Sequence, residues 1–391
     1  MEHVESWTGC FSSEATGIDP ASSVKQFKAD DVLFGKLRPY LAKVIHPRKC
    51  GVCVGEFLVL RSQVRILSAG YLSRLLRSKQ AIDAIDASTF GAKMPRAEWN
   101  FIGRLKCPLP PLSEQAAIAR YLDRADERIQ HSTEAKEKLV GLLQEMQKAL
   151  INEAVTGRFD VRTGQPYPTY KPSGVEWLGE VPAHWEVRRL KATVSNVVNL
   201  TTSRRSGEMY LALEHVESWT GCFSSEATGI DPASSVKQFK ADDVLFGKLR
   251  PYLAKVIHPR KCGVCVGEFL VLRSQVRILS AGYLSRLLRS KQAIDAIDAS
   301  TFGAKMPRAE WNFIGRLKCP LPPLSEQAAI ARYLDRADER IQHSIQSARR
   351  QIDLLNEYRA RLIADVVTGK LDVRQVAAEM AGDTEKPESV Y

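Results

Sequence analysis

The chain has 391 residues, 44% of them hydrophobic and 26% charged, with a formal net charge of +11. That length suits two or three domains, each large enough for a core of its own. No apolar run reaches the roughly 18 residues of a membrane span, and the opening residues carry no signal-type apolar core, so a cytoplasmic globular protein is expected.

In chain order, the first element is already half of a repeat. "EHVESWTGCFSSEATG" stands at Glu2–Gly17 and returns at Glu214–Gly229, and Glu2–Ser132 is identical to Glu214–Ser344 at all 131 positions. A period of 212 residues is far too long for a solenoid and marks two copies of a whole domain. The second copy follows "SGEMYLAL", which reads as half of a strand that "EHV" completes; only Met1 stands before the first. The segment from about Glu180 to Leu213 has no counterpart ahead of the first copy, so the first globule is expected to lack its entry strands.

Inside each copy, "DDVLFGKLRPYLAKVI" (Asp30–Ile45) and "GEFLVLR" (Gly55–Arg61) have the β-branched and aromatic character of strands. "SAGYLSRLLRSKQAIDAI" (Ser68–Ile85) has helical spacing behind a serine start signal. "PLPPLSEQ" (Pro108–Gln115) closes the globule: two prolines stop any strand, and Ser113 is placed to cap the next helix. In that helix Ile118, Leu122, Ala125, Ile129, Ser132, Lys136, Leu139, Leu143, Met146 and Leu150 form a heptad seam with a polar middle. Ile330, Leu334, Ala337, Ile341, Ile345, Ala348, Ile352, Leu355, Tyr358 and Leu362 repeat it in the second unit. Matching seams predict two long antiparallel helices forming a coiled coil, each roughly 60 Å long at about 1.5 Å per residue.

Gly157 ends the first long helix, and the Pro/Gly/Tyr-rich stretch after it reads as an ordered linker. The expected class is α/β (α+β), two globules separated by the helices. The expected segments are a first globule 1–112, a helix 113–157, a linker 158–180, a second globule 181–324, a helix 325–369 and a flexible tail 370–391.

The charge is localised. Each copy holds 19 Lys+Arg and 14 Asp+Glu, so two copies account for +10 of the +11. A basic excess confined to the duplicated domain points first to a polyanion, nucleic acid being the commonest. The eight cysteines are four positions seen twice, and "CGVC" has C-x-x-C spacing without a second pair at zinc-ribbon distance. Lying in a β-rich run and not at a helix start, these read as structural thiols, with zinc assisted by His46 and His258 as the alternative.

The order globule, "PLPPLSEQAAIARYLDRADERI", helix, "EAVTGRFDVRTG", then "YKPSGVEWLGEVPAHWEVRRLK" and a second globule and helix, resembles the DNA-specificity subunit of Type I restriction–modification systems. "DDVLFGKLRPYL" and "GAKMPRAEWNFI" look like that family's target-recognition domain. The resemblance covers nearly the whole chain. It implies two recognition domains on double-stranded DNA, each reading half of a split target, with the helices setting the gap. It also implies partners: two modification (M) subunits carrying S-adenosylmethionine chemistry, and restriction (R) subunits using ATP and Mg. This chain would bind no cofactor, hold no metal and catalyse nothing. In agreement, it contains no G-x-x-x-x-G-K-[ST] loop, no N/D-P-P-Y/F stretch and no nucleophile–base or metal-ligand spacing.

Candidate DNA contacts are Lys36 and Arg38 with their copies Lys248 and Arg250, followed in each case by a Pro-Tyr turn. Lys93 and Arg96, with Lys305 and Arg308, lie in a Gly-containing loop where backbone could approach phosphate. Arginine offers a bidentate fork for guanine, and lysine more often serves phosphate. Arg204 and Arg205, in the basic stretch "TTSRRSGEMY", exist only in the second copy. Thr89, Asn100, Thr301 and Asn312 are weaker candidates. Two identical readers predict a gapped inverted repeat. The rival readings are a non-catalytic coiled-coil scaffold, a zinc or thiol enzyme, and an inactive rearranged specificity cassette.

Overall fold

The computed structural model describes residues 3–11, 23–89, 94–205, 207–224, 235–301 and 306–377. In order these form β1 (Val24–Phe27), β2 (Val32–Gly35), β3 (Val44–Ile45), β4 (Gly51–Val54), β5 (Phe57–Leu60), α1 (Ala69–Arg77), α2 (Lys79–Ala87), α3 (Trp99–Ile102) and the long α4 (Leu112–Thr156). There follow β6 (Tyr170–Pro172), β7 (Glu180–Pro182), β8 (Glu186–Arg189), β9 (Val194–Val197), β10 (Leu200–Thr201) and β11 (Met209–Leu211). The second copy then supplies β12 (Val236–Phe239), β13 (Val244–Gly247), β14 (Val256–Ile257), β15 (Gly263–Cys265), β16 (Phe269–Ser274), α5 (Ala281–Leu288), α6 (Lys291–Asp298), α7 (Trp311–Ile314), β17 (Lys318–Leu321) and the long α8 (Leu324–Val367). Contacts gather the chain into two compact units, Met1–Lys138 with Ser347–Tyr391, and Leu139–Gln346. Each unit thus holds the start of one long helix and the end of the other.

In the first unit, β2 is flanked antiparallel by β3 and β5, and β1 pairs antiparallel with β4. The alternating apolar residues Val32, Phe34 and Val44 turn inward onto Leu76, Ile82 and Ile85 of α1 and α2. The run Ser68–Ile85 is two helices and not one: Ser78 is extended (φ −64°, ψ 142°) and its hydroxyl accepts from the Ala81 amide at 3.4 Å. A serine that can cap from within competes with continuing the helix. The start of α4 and the end of α8 pack together on α1 through Tyr71, Leu75, Ile118, Leu122, Leu362, Ile363 and Val366. Pairings between Gln130 and Arg359 (3.1 Å) and between Lys136 and Gln351 (2.6 Å) run in opposite chain directions, so the two helices are antiparallel here.

In the second unit the same segments build larger sheets, ordered β14-β13-β16-β9 and β10-β12-β15-β11, while β17 pairs with β8. The end of α4 and the start of α8 are again antiparallel, with Gln147 bonded to Asp338 at 2.9 Å and to Gln342 at 3.4 Å. The linker closes over this end. Gly157, at φ +74°, stops α4; a Cβ there would lie 2.5 Å from Pro182 and 2.9 Å from Trp185, so no other residue fits. Glu326 Oε2 accepts from Trp185 Nε1 (2.9 Å) and Tyr167 Oη (3.1 Å), and Oε1 meets His184 Nε2 at 2.8 Å.

Two details depart from the pattern. Ser113 does not cap α4: the helix begins at Leu112, and the Pro111 carbonyl accepts its first amides, from Glu114 and Gln115 (both 2.9 Å). The seam also drifts. Leu139, Met146 and Tyr358 are exposed, and the buried stripe near the helix ends passes to Gln147, Ile151, Ala154 and Val155, and to Arg359, Leu362, Ile363 and Val366. A helix of 3.6 residues per turn falls about 20° behind a strict heptad repeat with each heptad, and the ends pack on globules as well as on each other.

Candidate nucleic-acid interface

In both copies the backbone joins two loops that are far apart in sequence. Just past the end of β2, Lys36 leads into a tight turn in which Arg38 (φ 52°, ψ 65°) precedes a 3-10 turn at Pro39–Leu41. A left-handed arginine is strained by roughly 1–3 kcal/mol and persists only where its surroundings hold it. They do: the Arg38 amide donates to Pro95 O at 2.8 Å, the Ala97 amide to Lys36 O at 2.9 Å, and Leu37 bridges Arg96. The second copy repeats the set, with Arg250 N to Pro307 O at 2.8 Å, Ala309 N to Lys248 O at 2.9 Å, and Leu249 bridging Arg308. Lys36, Arg38 and Arg96 are therefore brought together, as are Lys248, Arg250 and Arg308. The two arginines in each set are exposed.

Around them lie Tyr40 (44% exposed), Met94 (60%) and Trp99 (56%), which add flat or polarisable surface beside the cations. In the second copy Lys248, Arg308, Trp311 and Asn312 line one open groove of about 330 Å³. Asn312, a weaker candidate by sequence, thus shares the groove with stronger ones. Lys93 and Lys305 lie outside the described residues. Arg204 and Arg205 sit in the loop between β10 and β11, the two edges of one sheet, where Glu208 holds them: its side chain accepts from the Arg205 amide at 3.0 Å and its carbonyl from Arg204 Nη1 at 3.3 Å.

Sequence reasoning missed the residues that hold these cations in place. Glu56 Oε1 lies 3.1 Å from Arg96 Nη2, and Glu268 Oε1 lies 3.3 Å from Arg308 Nη2. Such exposed pairs contribute little stability, on the order of 0–1 kcal/mol, and serve mainly to aim the guanidinium. Lys237, buried in the second copy, donates to Gly267 O (3.1 Å) and Phe269 O (2.7 Å). Burial first, and Lys248 nearby second, push its pKa down. No local spacing links Glu56 to the Lys36 turn or Lys237 to Lys248, so only the assembled sheet could reveal them.

Packed thiols are found only at Cys53, Cys265 and Cys319; Cys10, Cys50, Cys107, Cys222 and Cys262 are exposed, so each C-x-x-C pair has one buried and one exposed member. Burial pushes Cys265 and Cys319 up to about 12, too high for a thiolate at neutral pH. His46 and His258 each pair with an aspartate, at 3.1 Å and 2.9 Å. Among the described residues no three His, Cys, Asp or Glu side chains are grouped as metal ligands. Among them, too, no helix is long and apolar enough to cross a membrane.

No family model matches the chain. It is 24% identical over 287 residues to the Type I restriction enzyme EcoDI specificity subunit of Escherichia coli, covering 69% of this chain and 63% of that one. It is 23% identical over 356 residues to the Type I restriction enzyme MjaVIII specificity subunit of Methanocaldococcus jannaschii, covering 84% and 76%. The chain is similar to Type I restriction enzyme specificity subunits. It spans less than two thirds of the length of the first of these relatives. The fold agrees with the family. A chain from a study of assembly and conformational transition in the type I R-M system superposes with a TM-score of 0.71 at 18% identity, over 90% of this chain and 85% of that one. The HsdS subunit from Thermoanaerobacter tengcongensis does so with a TM-score of 0.50 at 18% identity, over 95% and 89%.

Proposed function

We propose that the chain is the DNA sequence-recognition subunit of a Type I restriction–modification complex and carries out no chemistry itself. The observation that supports this most is the same stitched pair of cationic loops on each globule: Lys36, Arg38 and Arg96 on one, Lys248, Arg250 and Arg308 on the other. The strained turn fixes the backbone, so the arginine forks are pre-aimed at base edges while the lysines serve phosphate. Lys93 and Lys305 extend the same loops, and Arg204 and Arg205 add a contact available to the second globule alone. Two equal readers select a gapped inverted repeat in double-stranded DNA, and the long helices set the gap. Modification subunits, two per chain, supply S-adenosylmethionine chemistry and flip the target adenine. Restriction subunits supply the ATP- and Mg-dependent steps. This chain binds none of those cofactors.

The test is methylome sequencing of cells co-expressing the chain with a compatible modification subunit. Methyladenine within a gapped inverted repeat is the expected result. An asymmetric target with both halves defined would defeat the twin-reader reading, and no methylation would defeat the assignment.

A further inference from the structure

The second unit contains a basic cleft next to the groove of Lys248 and Arg308, with α7 contributing Trp311 to the groove and Phe313 to the cleft. It encloses about 620 Å³ and is lined by Arg189, Lys191, Arg316 and Lys318, together with Trp177 and Phe313, and by no acidic residue. The backbone builds it deliberately. In the β8–β17 pair Arg189 stands directly opposite Lys318, and Lys191 N donates to Gly315 O at 2.8 Å, which sets Lys191 beside Arg316. Like charges directly opposite on a two-stranded pair are destabilising. The neighbouring Arg188 shows the usual remedy, with Glu186 2.6 Å from its Nε. Among the described residues none of the four cleft cations has an ion-pair partner.

A second, independent feature is the Trp177 indole nitrogen. It is buried and has no hydrogen-bond acceptor among the described residues. A buried donor left unmade is destabilising, a loss that a ligand oxygen accepting from it would recover. Phe313, 39% exposed, adds a flat apolar surface at the same wall.

We infer that this cleft binds the phosphodiester backbone of double-stranded DNA, independently of base sequence. The four cations are spread along two strands and a turn and do not converge on one point, which suits a run of phosphates better than a single small anion. The inference rests on the chain being a DNA binder, as proposed above, and adds phosphate contacts beyond the residues of the reading groove.

The duplication supplies a matched control. Arg104 and Lys106 repeat Arg316 and Lys318 in an identical sequence, but among the described residues no strand pairs with Lys106–Leu109 as β8 pairs with Lys318–Leu321. The measurement is fluorescence anisotropy of the full chain with a labelled duplex of arbitrary sequence, across a salt series. Arg316→Glu with Lys318→Glu should weaken binding at least tenfold and lower the slope of log affinity against log salt by about 2. Arg104→Glu with Lys106→Glu, the same charge change, should weaken it less than about threefold. All four positions are exposed, and the milder Arg189→Ala with Lys191→Ala should move affinity in the same direction as the first pair. Equal losses for the two charge-reversal pairs, or no loss for the cleft pair, would overturn the cleft and point to an acidic protein surface as its occupant. A wild-type chain that binds no duplex at all would remove the functional reading and the cleft with it.

Discussion

Val52 and Val264 occupy the same place in identical sequences, yet Val52 is 53% exposed and Val264 is 0% exposed. The difference comes from the residues placed beside them. In the second globule β11 lies parallel to β15, β9 pairs with β16 and β10 with β12, so the segment 194–211 covers three strands. In the first globule the described residues provide no such segment. The neighbour even decides the extent of a strand: β16 runs six residues to Ser274, whereas β5 stops after four at Leu60. Likewise Lys318–Leu321 is a strand because β8 pairs with it, while the identical Lys106–Leu109 is not. β-structure is completed by its partner, because half of a strand's hydrogen bonds belong to the next chain segment. The helices differ far less between copies, since their hydrogen bonds are internal.

Glu326 and Glu114 give the largest expected contrast. Both open a long helix, but Glu326 collects Trp185, Tyr167 and His184 while Glu114 is only half-buried. Glu326→Leu should destabilise the second unit by about 3–5 kcal/mol, since its buried donors are left without an acceptor. Glu114→Leu should cost less than about 1 kcal/mol. Urea unfolding followed by tryptophan fluorescence would show the two side by side, and equal effects would break the comparison.

Next come the reading loops, where the copies should behave alike. Arg38→Ala and Arg250→Ala should each weaken binding to the specific duplex by about 1–3 kcal/mol and relax selectivity in one half-site. A loss confined to Arg250→Ala would mean that the open sheet edges of the first globule disable its reading.

Packing around the covered edge gives a smaller effect. Val264→Ala should cost about 2 kcal/mol through lost burial and a residual void, and Val52→Ala should stay within about 0.5 kcal/mol. Thermal unfolding of the two variants checks this directly.

The smallest effect is one of pH, and here the copies should agree in sign. Burial lowers the pKa of His46 and His258 below the ordinary 6.5, with Asp30 and Asp242 pulling the other way. The folded chain therefore binds fewer protons than the unfolded chain in the window just below 6.5, and stability falls as pH drops through it. His46→Gln and His258→Gln should each flatten that slope. A steeper slope in either variant would contradict the burial argument.

The sequence by itself determined the duplication, the two long helices, the stop at Gly157 and the basic character of the repeated domain. These follow from local identity, from periodicity and from a residue type that alone accepts a positive φ against Pro182 and Trp185. It also named Lys36 and Arg38, beside a Pro-Tyr turn, and Arg96, in a Gly-containing loop, as candidates. Only the tertiary structure decided that the Arg38 turn and the Arg96 loop are one surface, that Glu56 and Glu268 aim the arginines, and that Glu326 locks the linker. It alone decided that Arg189 stands beside Lys318 on paired strands lining one cleft. Those relations depend on strand register and on packing between segments far apart in the chain, and no local spacing records them.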